Sequence, residues 1–241
     1  MHIIKLNATN STNEHLRKIL LKNKLQVPTV VWCLFQKKGK GQRGRVWTSQ
    51  AGKNLMLSLY IPNLTRNADQ LFSINKIVSI SLVEWLLSLQ IPNISVKWPN
   101  DILSGYKKLA GILIETTFKK SAIKSIIIGI GINVNQIQFT KLPNATSMRL
   151  QTAKTFDLNE LILSLAPKLL KDLTHPRNDW DELYQKSLYG LNQNNKFLIG
   201  EQEFQGIIRS VNGEGKLLIE TKTGECLFSV GELQFVYVED Q

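Results

Sequence analysis

The texture of this sequence changes at Gly190, and that change constrains the fold more than any single motif does. Before it, strand-like apolar runs alternate with apolar stripes at helical spacing. After it, residues 196–201, 202–211, 216–222 and 225–230 alternate apolar and polar side chains. Gly200, Gly213-Glu214-Gly215 and Gly224 separate them, and 233–238 follows. Short alternating strands at about ten-residue spacing predict a small antiparallel barrel. The chain is therefore expected to be α+β. Residues 1–189 would form a mixed sheet flanked by helices, and residues 190–241 a small all-β unit. A length of 241 residues accommodates both, with a core that needs no disulfide or metal staple.

Within the larger part, Ser11 caps a helix and Glu14 completes a capping box, with Leu16, Ile19 and Leu20 as the buried stripe and Pro28 as the stop. Residues 30–35 and 54–61 read as strands, the second closed by Pro62-Asn63. Asp69 opens a long helix to about Gln90, burying Leu71, Phe72, Ile77, Val78, Leu82, Trp85 and Leu86. Residues 94–98, 109–117 and 124–133 are three more strands, the last two joined by a short basic turn. A polar loop covers 136–150. Asp157 with Glu160 opens another capped helix, which Pro167 kinks, and a fourth helix runs from Pro176 to Tyr189. The apolar stretch at 74–89 carries Asn75, Lys76 and Glu84 and so falls short of a membrane span. The N-terminus lacks a signal-peptide core. Cys33 and Cys226 lie far apart in no metal spacing, so a cytoplasmic protein is expected, acting away from membranes.

Thirty Lys and Arg against nineteen Asp and Glu leave a net charge of +11, which favours nucleic acid, nucleotide phosphates or an acidic protein as partner. A generally Lys-rich composition gives the same excess. Gly39-Lys40-Gly41-Gln42-Arg43-Gly44 has dinucleotide-fingerprint spacing, but no helix follows it and no acidic residue sits about twenty positions on. What remains is a glycine-rich loop carrying Lys37, Lys38, Lys40, Arg43 and Arg45, suited to wrapping an anion or to forming a solvated basic hairpin. Trp47 beyond it covers a planar ring or fills the core. Lys97-Trp98-Pro99-Asn100-Asp101 is either a capped strand end or a lysine beside a carboxylate that holds Mg²⁺ on a nucleotide. Ala110 and Gly111 leave room for a ligand beside Lys108, which either neutralises transition-state charge or is a surface lysine. Gly129 and Gly131 interrupt a buried strand, which points to close ligand approach, with Asn133 and Asn135 as donors at its end. Three dispersed histidines exclude a zinc cluster, His15 being surface or cap-proximal, and no G-x-S-x-G elbow occurs.

Taken in order, Ser11-Thr12-Asn13, the 39–45 loop with Trp47, Gly52-Lys53-Asn54-Leu55, Lys97-Trp98-Pro99-Asn100-Asp101, Lys108-x-x-Gly111-Ile112-Leu113 and Gly129-x-Gly131-x-Asn133 resemble the biotin–protein ligases. The likeness covers essentially the whole chain. It implies a class II synthetase-like catalytic domain and, from 213–233, an SH3-like C-terminal domain. The implied reaction has two steps. Biotin and Mg·ATP give biotinyl-5′-AMP, and a lysine of a biotin carboxyl carrier domain then displaces AMP. By the same resemblance, Ser11, Thr12 and Asn13 hold the ureido ring, while Gln36, Lys40, Gly41, Gln42 and Gly111 line biotin. Lys108 bridges the biotin carboxylate and the α-phosphate, Arg43 and Arg45 reach phosphates, and Trp47 packs near adenine. Asn100 and Asp101 serve phosphate and Mg²⁺, and Asn133 the nucleotide.

Many relatives carry Arg where this chain has Gln42 and Lys40. A neutral Gln42 removes a cation over the acyl-adenylate, so looser retention is expected, and Gln42→Arg should slow its escape. The first helix starts within about a dozen residues of Met1, leaving no room for the DNA-binding domain of some members, so no specific DNA binding is expected. The nearest alternatives are a lipoate or octanoate ligase and a basic nucleic-acid-binding protein. The polar groups at 11–13 and 36 favour a ureido ring, and Glu214, Glu220, Glu225 and Glu232 oppose phosphate binding by the tail. Monomer and homodimer both remain open.

Overall fold

Val30 and Trp32 point to one side of their strand and Val31 to the other, and this period-two sorting organises the larger sheet. The computed structural model describes residues 1–22, 25–62, 64, 71–119 and 122–236. Strands β1 (His2–Thr9), β2 (Thr29–Gln36), β3 (Leu55–Tyr60), β4 (Ile94–Lys97), β5 (Asp101–Ser104), β6 (Lys107–Lys119) and β7 (Ala122–Ile132) form one sheet in the order β1-β2-β3-β7-β6-β5-β4. Only β1 and β2 pair in parallel, across helix α1 (Thr12–Lys22), so the sheet is mixed. Helices α2 (Leu71–Ser88), α4 (Leu158–Thr174) and α5 (Trp180–Lys186) belong to the core on one face, with Leu55, Leu57, Leu59, Ile126, Ile128, Ile130 and Ile132. The opposite face carries α1, where Leu16 packs with Val31 and Ile127. Gly129 and Gly131 share the parity of Ile127 and therefore open onto that second face.

Both helix starts carry the cap side chain the sequence predicts, without the reciprocal carboxylate half of a capping box. Ser11 Oγ accepts from Glu14 N at 3.5 Å, and the Asp157 carboxylate accepts from Asn159 N and Glu160 N at 2.7 and 3.1 Å. Several elements differ from expectation. β1 was not foreseen, because five of its eight residues are exposed and none is fully buried. Asp101 starts β5 rather than sitting in a turn, since Trp98, Pro99 and Asn100 alone close the β4–β5 hairpin. The polar loop contains a short helix, α3 (Met148–Thr152), capped by Ser147. Pro167 lies inside a continuous α4, and α5 is far shorter than 176–189. Asp69, Asn63, the Lys120-Ser121 turn and the end of the 233–238 run lie outside the described residues.

α2 has the length and mean hydropathy, 1.4, of a membrane-crossing helix despite its polar residues, but 67% of it is buried inside the protein. Its polar side chains face partners: Lys76 pairs with Asp181, and Glu84 with Lys168 and Arg177.

Beyond α5, strands β8 (Asn194–Ile199), β9 (Gln202–Val211), β10 (Leu217–Thr221), β11 (Gly224–Phe228) and β12 (Gln234–Val236) form an antiparallel sheet in the order β11-β10-β9-β8-β12. Phe197 stacks on Phe204, which stacks on Phe228, and Phe235 meets Phe197 edge-on. This sheet is bonded to the first part. Trp98 Nε1 donates to Gly215 O at 2.8 Å, and Gln185 pairs both ways with the Val211 backbone. One apolar core runs through both, from Leu55 to Phe197 and Ile219.

Candidate active site

Three glycines prepare the site. Gly111 and Gly131 are cross-strand neighbours on β6 and β7, and Gly129 lies opposite Ser58 of β3. The Trp47 ring rests on the first pair. A methyl group at Gly131 would come within 2.5 Å of it, and one at Gly111 within 3.2 Å. At Gly129 a methyl would collide with the Asn13 side chain. Two of the protein's own side chains pack on these glycines, and all three glycines also line the cavity above. That cavity, of about 430 Å³, lies between the start of α1, the 39–47 loop, the 98–100 turn and the 230–235 segment of the tail.

At one end the floor is polar and rigid. Ser11, Thr12 and Asn13 are 3%, 4% and 3% exposed, because α1 presents its first turn to the sheet. Gln36, at the end of β2, accepts from Thr12 N at 2.8 Å and lies 3.2 Å from Thr12 Oγ1. Ser58 Oγ sits 2.7 Å from Thr12 Oγ1 and bonds Asn13 Oδ1, while Asn13 Nδ2 donates to Glu115 at 2.8 Å. Arg17 pairs with the other Glu115 oxygen at 2.8 Å. Four polar side chains held this way can recognise a compact, uncharged polar ring.

The middle is charged. Register along β5–β6 slips at Leu109: Ile102 pairs with Ala110, but Leu103 pairs with Lys108. This bulge turns Lys108 onto the same face as Gly111 instead of into the core. Lys108 Nζ then pairs with Asp101 at 2.6 Å and lies 5.6 Å from the Trp47 ring centre. Lys97 extends toward the Phe235 ring at 5.2 Å. Burial, reinforced by the positive charge of Lys108 and Arg45, pushes the Lys97 pKa below the usual lysine value, with Asp101 opposing. Trp47 Nε1 is buried without a hydrogen-bond acceptor.

Above lies the basic loop. Gly41 N bonds Arg45 O at 2.7 Å and Trp47 N bonds Gly39 O at 3.0 Å, closing a hairpin around one 3₁₀ turn, Gln42–Gly44. No helix follows, as the failed dinucleotide fingerprint requires. Lys40, Gly41, Gln42, Arg43 and Arg45 all line the cavity. Arg43 has positive φ and reaches over Gly231 to donate to Val230 O at 2.6 Å, so the tail helps to hold the loop.

Of the residues singled out from the sequence, Ser11, Thr12, Asn13, Gln36, Lys40, Gly41, Gln42, Arg43, Arg45, Trp47, Asn100, Asp101, Lys108 and Gly111 converge on this cavity. Asn133 and Asn135 do not line it. Asn133 is buried with its amide directed at Lys108 O, 3.5 Å away, and Asn135 exchanges two hydrogen bonds with the Phe156 backbone. Asn100 lines the cavity but spends its amide on Ile112 O at 2.7 Å. Sequence reading missed Ser58, Glu115 and the Leu233–Phe235 wall. Ser58 and Glu115 carried a faint signal, as polar residues at the second-face parity of otherwise apolar strands. A protein-built metal cage is absent: among the described residues no three His, Cys, Asp or Glu side chains cluster. Asp101, the carboxylate among the lining residues, fits Mg²⁺ only as an ion delivered on ATP phosphates.

Such a pocket, joining a neutral polar floor to a cationic loop, suits an enzyme that activates an organic acid. Residues 6–133 match the model of the biotin/lipoate A/B protein ligase family, and the chain belongs to that family. It is similar to the bifunctional ligase/repressor BirA of Escherichia coli, 30% identical over 225 residues that cover 89% of this chain and 68% of that one. The Bacillus subtilis BirA is 30% identical over 234 residues, covering 92% and 70%. Among solved structures, the biotin protein ligase of Aquifex aeolicus in complex with biotin and ATP superposes with a TM-score of 0.79 at 27% identity, covering 98% of this chain and 99% of that one.

Proposed function

We infer that this chain is a biotin–protein ligase, which makes biotinyl-5′-AMP from biotin and ATP and passes the biotinyl group to a lysine of an acceptor protein. The observation that carries this is the Thr12–Asn13–Gln36 floor joined to Lys108 within one cavity. Similar proteins bearing the same activity in their names agree with it. A lipoyl or octanoyl chain has no use for so many buried polar groups, each costly to leave unpaired.

In the first step a biotin carboxylate oxygen attacks the α-phosphorus, and the bond to pyrophosphate breaks. The acid and the phosphates are both anionic, so the barrier is charge repulsion as much as bond making. Lys108 neutralises it from between Asp101 and Trp47, where its ammonium is held in place rather than free to wander. Lys40, Arg43 and Arg45 bring further positive charge from the loop, and Trp47 lies against the base. Mg²⁺ bound on the triphosphate would neutralise its charge, and Asp101 would be the residue that contacts it. In the second step an acceptor lysine amine attacks the acyl carbon, loses a proton, and AMP leaves. The acceptor is a biotin carboxyl carrier domain, whose acidic surface suits a chain of net charge +11. Buried Cys33 and exposed Cys226 are both free thiols, which suits work in the cytoplasm.

The test offers purified protein Mg²⁺ and ATP with biotin, lipoate or octanoate separately and reads acyl-adenylates by mass spectrometry. Biotinyl-AMP alone is the expected product. Lipoyl- or octanoyl-AMP instead would keep the fold and Lys108's part but overturn the substrate.

A further inference from the structure

Asn13 lies flat over Gly129, and a planar side-chain amide fills that space equally well either way round. Packing therefore cannot choose which end points where, and hydrogen bonding must. Nδ2 faces the Glu115 carboxylate, which accepts but never donates, so Oδ1 faces Ser58. The consequence spreads. Ser58 has one hydroxyl proton and two acceptors in reach, Asn13 Oδ1 and Thr12 Oγ1. Asn13 Oδ1 claims it, so the Ser58 oxygen is left to accept the Thr12 proton across 2.7 Å, a shorter path than the 3.2 Å to Gln36. Thr12 Oγ1 then offers both lone pairs to the cavity. With Asn13 reversed, its amide would donate to Ser58, Ser58 to Thr12 and Thr12 to Gln36, and one of those lone pairs would be lost.

We propose that Glu115 is a positioning residue that sets the direction of this hydrogen-bond chain and so makes the cavity floor an acceptor for the N–H groups of a cyclic urea. The proposal deepens the biotin reading and rests on it. Glu115 itself does not line the main cavity. It lies beneath the 37–46 loop, with Arg17 as counter-ion and Lys37, Lys38, Lys40, Arg43 and Arg45 around the same depression. The rival explanation is a staple: the Arg17–Glu115 pair merely ties α1 to β6.

Two variants separate these roles. Glu115→Gln removes the obligate acceptor while keeping the shape, because a glutamine can present either oxygen or NH₂ to Asn13. Arg17→Met removes the staple but leaves Glu115 facing Asn13. Calorimetric Kd values for biotin and for ATP are measured on both, together with Tm. For Glu115→Gln the expected result is biotin binding weakened about tenfold or more, the scale of one hydrogen bond lost in a buried site, with ATP binding within about twofold. Arg17→Met should leave biotin binding within about twofold. Equal weakening in both variants, or none in either, overturns the proposal.

A ligand-independent arm keeps it separate from the biotin reading. In the free protein, one Asn13 Nδ2 proton should resonate downfield as a charge-assisted bond in parent and Arg17→Met, and should move upfield in Glu115→Gln. An unchanged resonance in Glu115→Gln overturns the proposal, whatever acid the enzyme adenylates. Failure of the parent to bind biotin, with that resonance pattern intact, overturns the substrate reading alone.

Discussion

Lys108 is where residue chemistry and backbone register meet. Its ammonium sits between Asp101 and Trp47 on the cavity face, although its place beside buried Leu109 and Ala110 would, in an unbroken strand, have sent it toward the core. Lys108→Ala should lower the rate of biotinyl-AMP formation by about 10²–10³-fold, the scale of one preorganised charge partner lost, while Tm stays within a few degrees. Near-normal pyrophosphate release would remove Lys108 from the mechanism. Its role was legible in sequence as one of two readings, a site lysine or a surface lysine, because a lysine at a strand start looks the same in both. Asn133 and Asn135 were read as donors for the opposite reason. Two asparagines ending a glycine-broken strand resemble a ligand site, but Asn135 spends its amide on the Phe156 backbone and Asn133 directs its own at Lys108 O.

The glycines of β6 and β7 are an element-scale device, since alternation puts Gly111, Gly129 and Gly131 on one face, with Ile127, and Ile112, Ile126, Ile128, Ile130 and Ile132 on the other. Gly131→Ala should displace Trp47 and raise the KM for ATP about tenfold, with a smaller change for biotin, because shifts of about 1 Å at a site cost this much or more. Equal KM values in mutant and parent would mean that Trp47 does not touch the nucleotide. A second element-scale feature joins α2 to α4. Burial raises the Glu84 pKa, but hydrogen bonds and charge from Lys168 and Arg177 outweigh it and hold the carboxyl below its ordinary 4.5. A carboxylate with a depressed folded pKa contributes its stability above its unfolded pKa and loses it as pH falls through the folded one. Denaturant midpoints should therefore hold from neutral pH to about 5 and decline below 4.5. That acid limb should be shallower in Glu84→Gln, and an unaltered limb would place the acid sensitivity elsewhere.

Across the whole molecule, the second sheet is fastened to the catalytic part by Trp98, Gln185 and a shared core, and it supplies the Leu233–Phe235 wall and the Val230 carbonyl that Arg43 meets. We propose the division near residue 190 as one of chain texture rather than of independent folding. Trp98→Phe leaves Gly215 O without its donor and should cost about 1–3 kcal/mol, seen as a Tm lowered in a single transition. Two separate transitions would show that the parts fold independently. Period and capping determined most of this architecture. Ser11, Asp157 and the alternating runs mark helices and strands because their signals are local, set by the next three residues or the next two. The resemblance to the biotin–protein ligases, rather than period or capping, singled out the fourteen residues that meet at one cavity. Tertiary structure alone decided the slip at Leu109 that aims Lys108, the rings and amides that fill the space above the glycines, the recruitment of Glu115 and Ser58, and the wall lent by the tail. Each depends on which strand lies beside which and in what register, and pairing energy between distant segments leaves no periodic trace in either one.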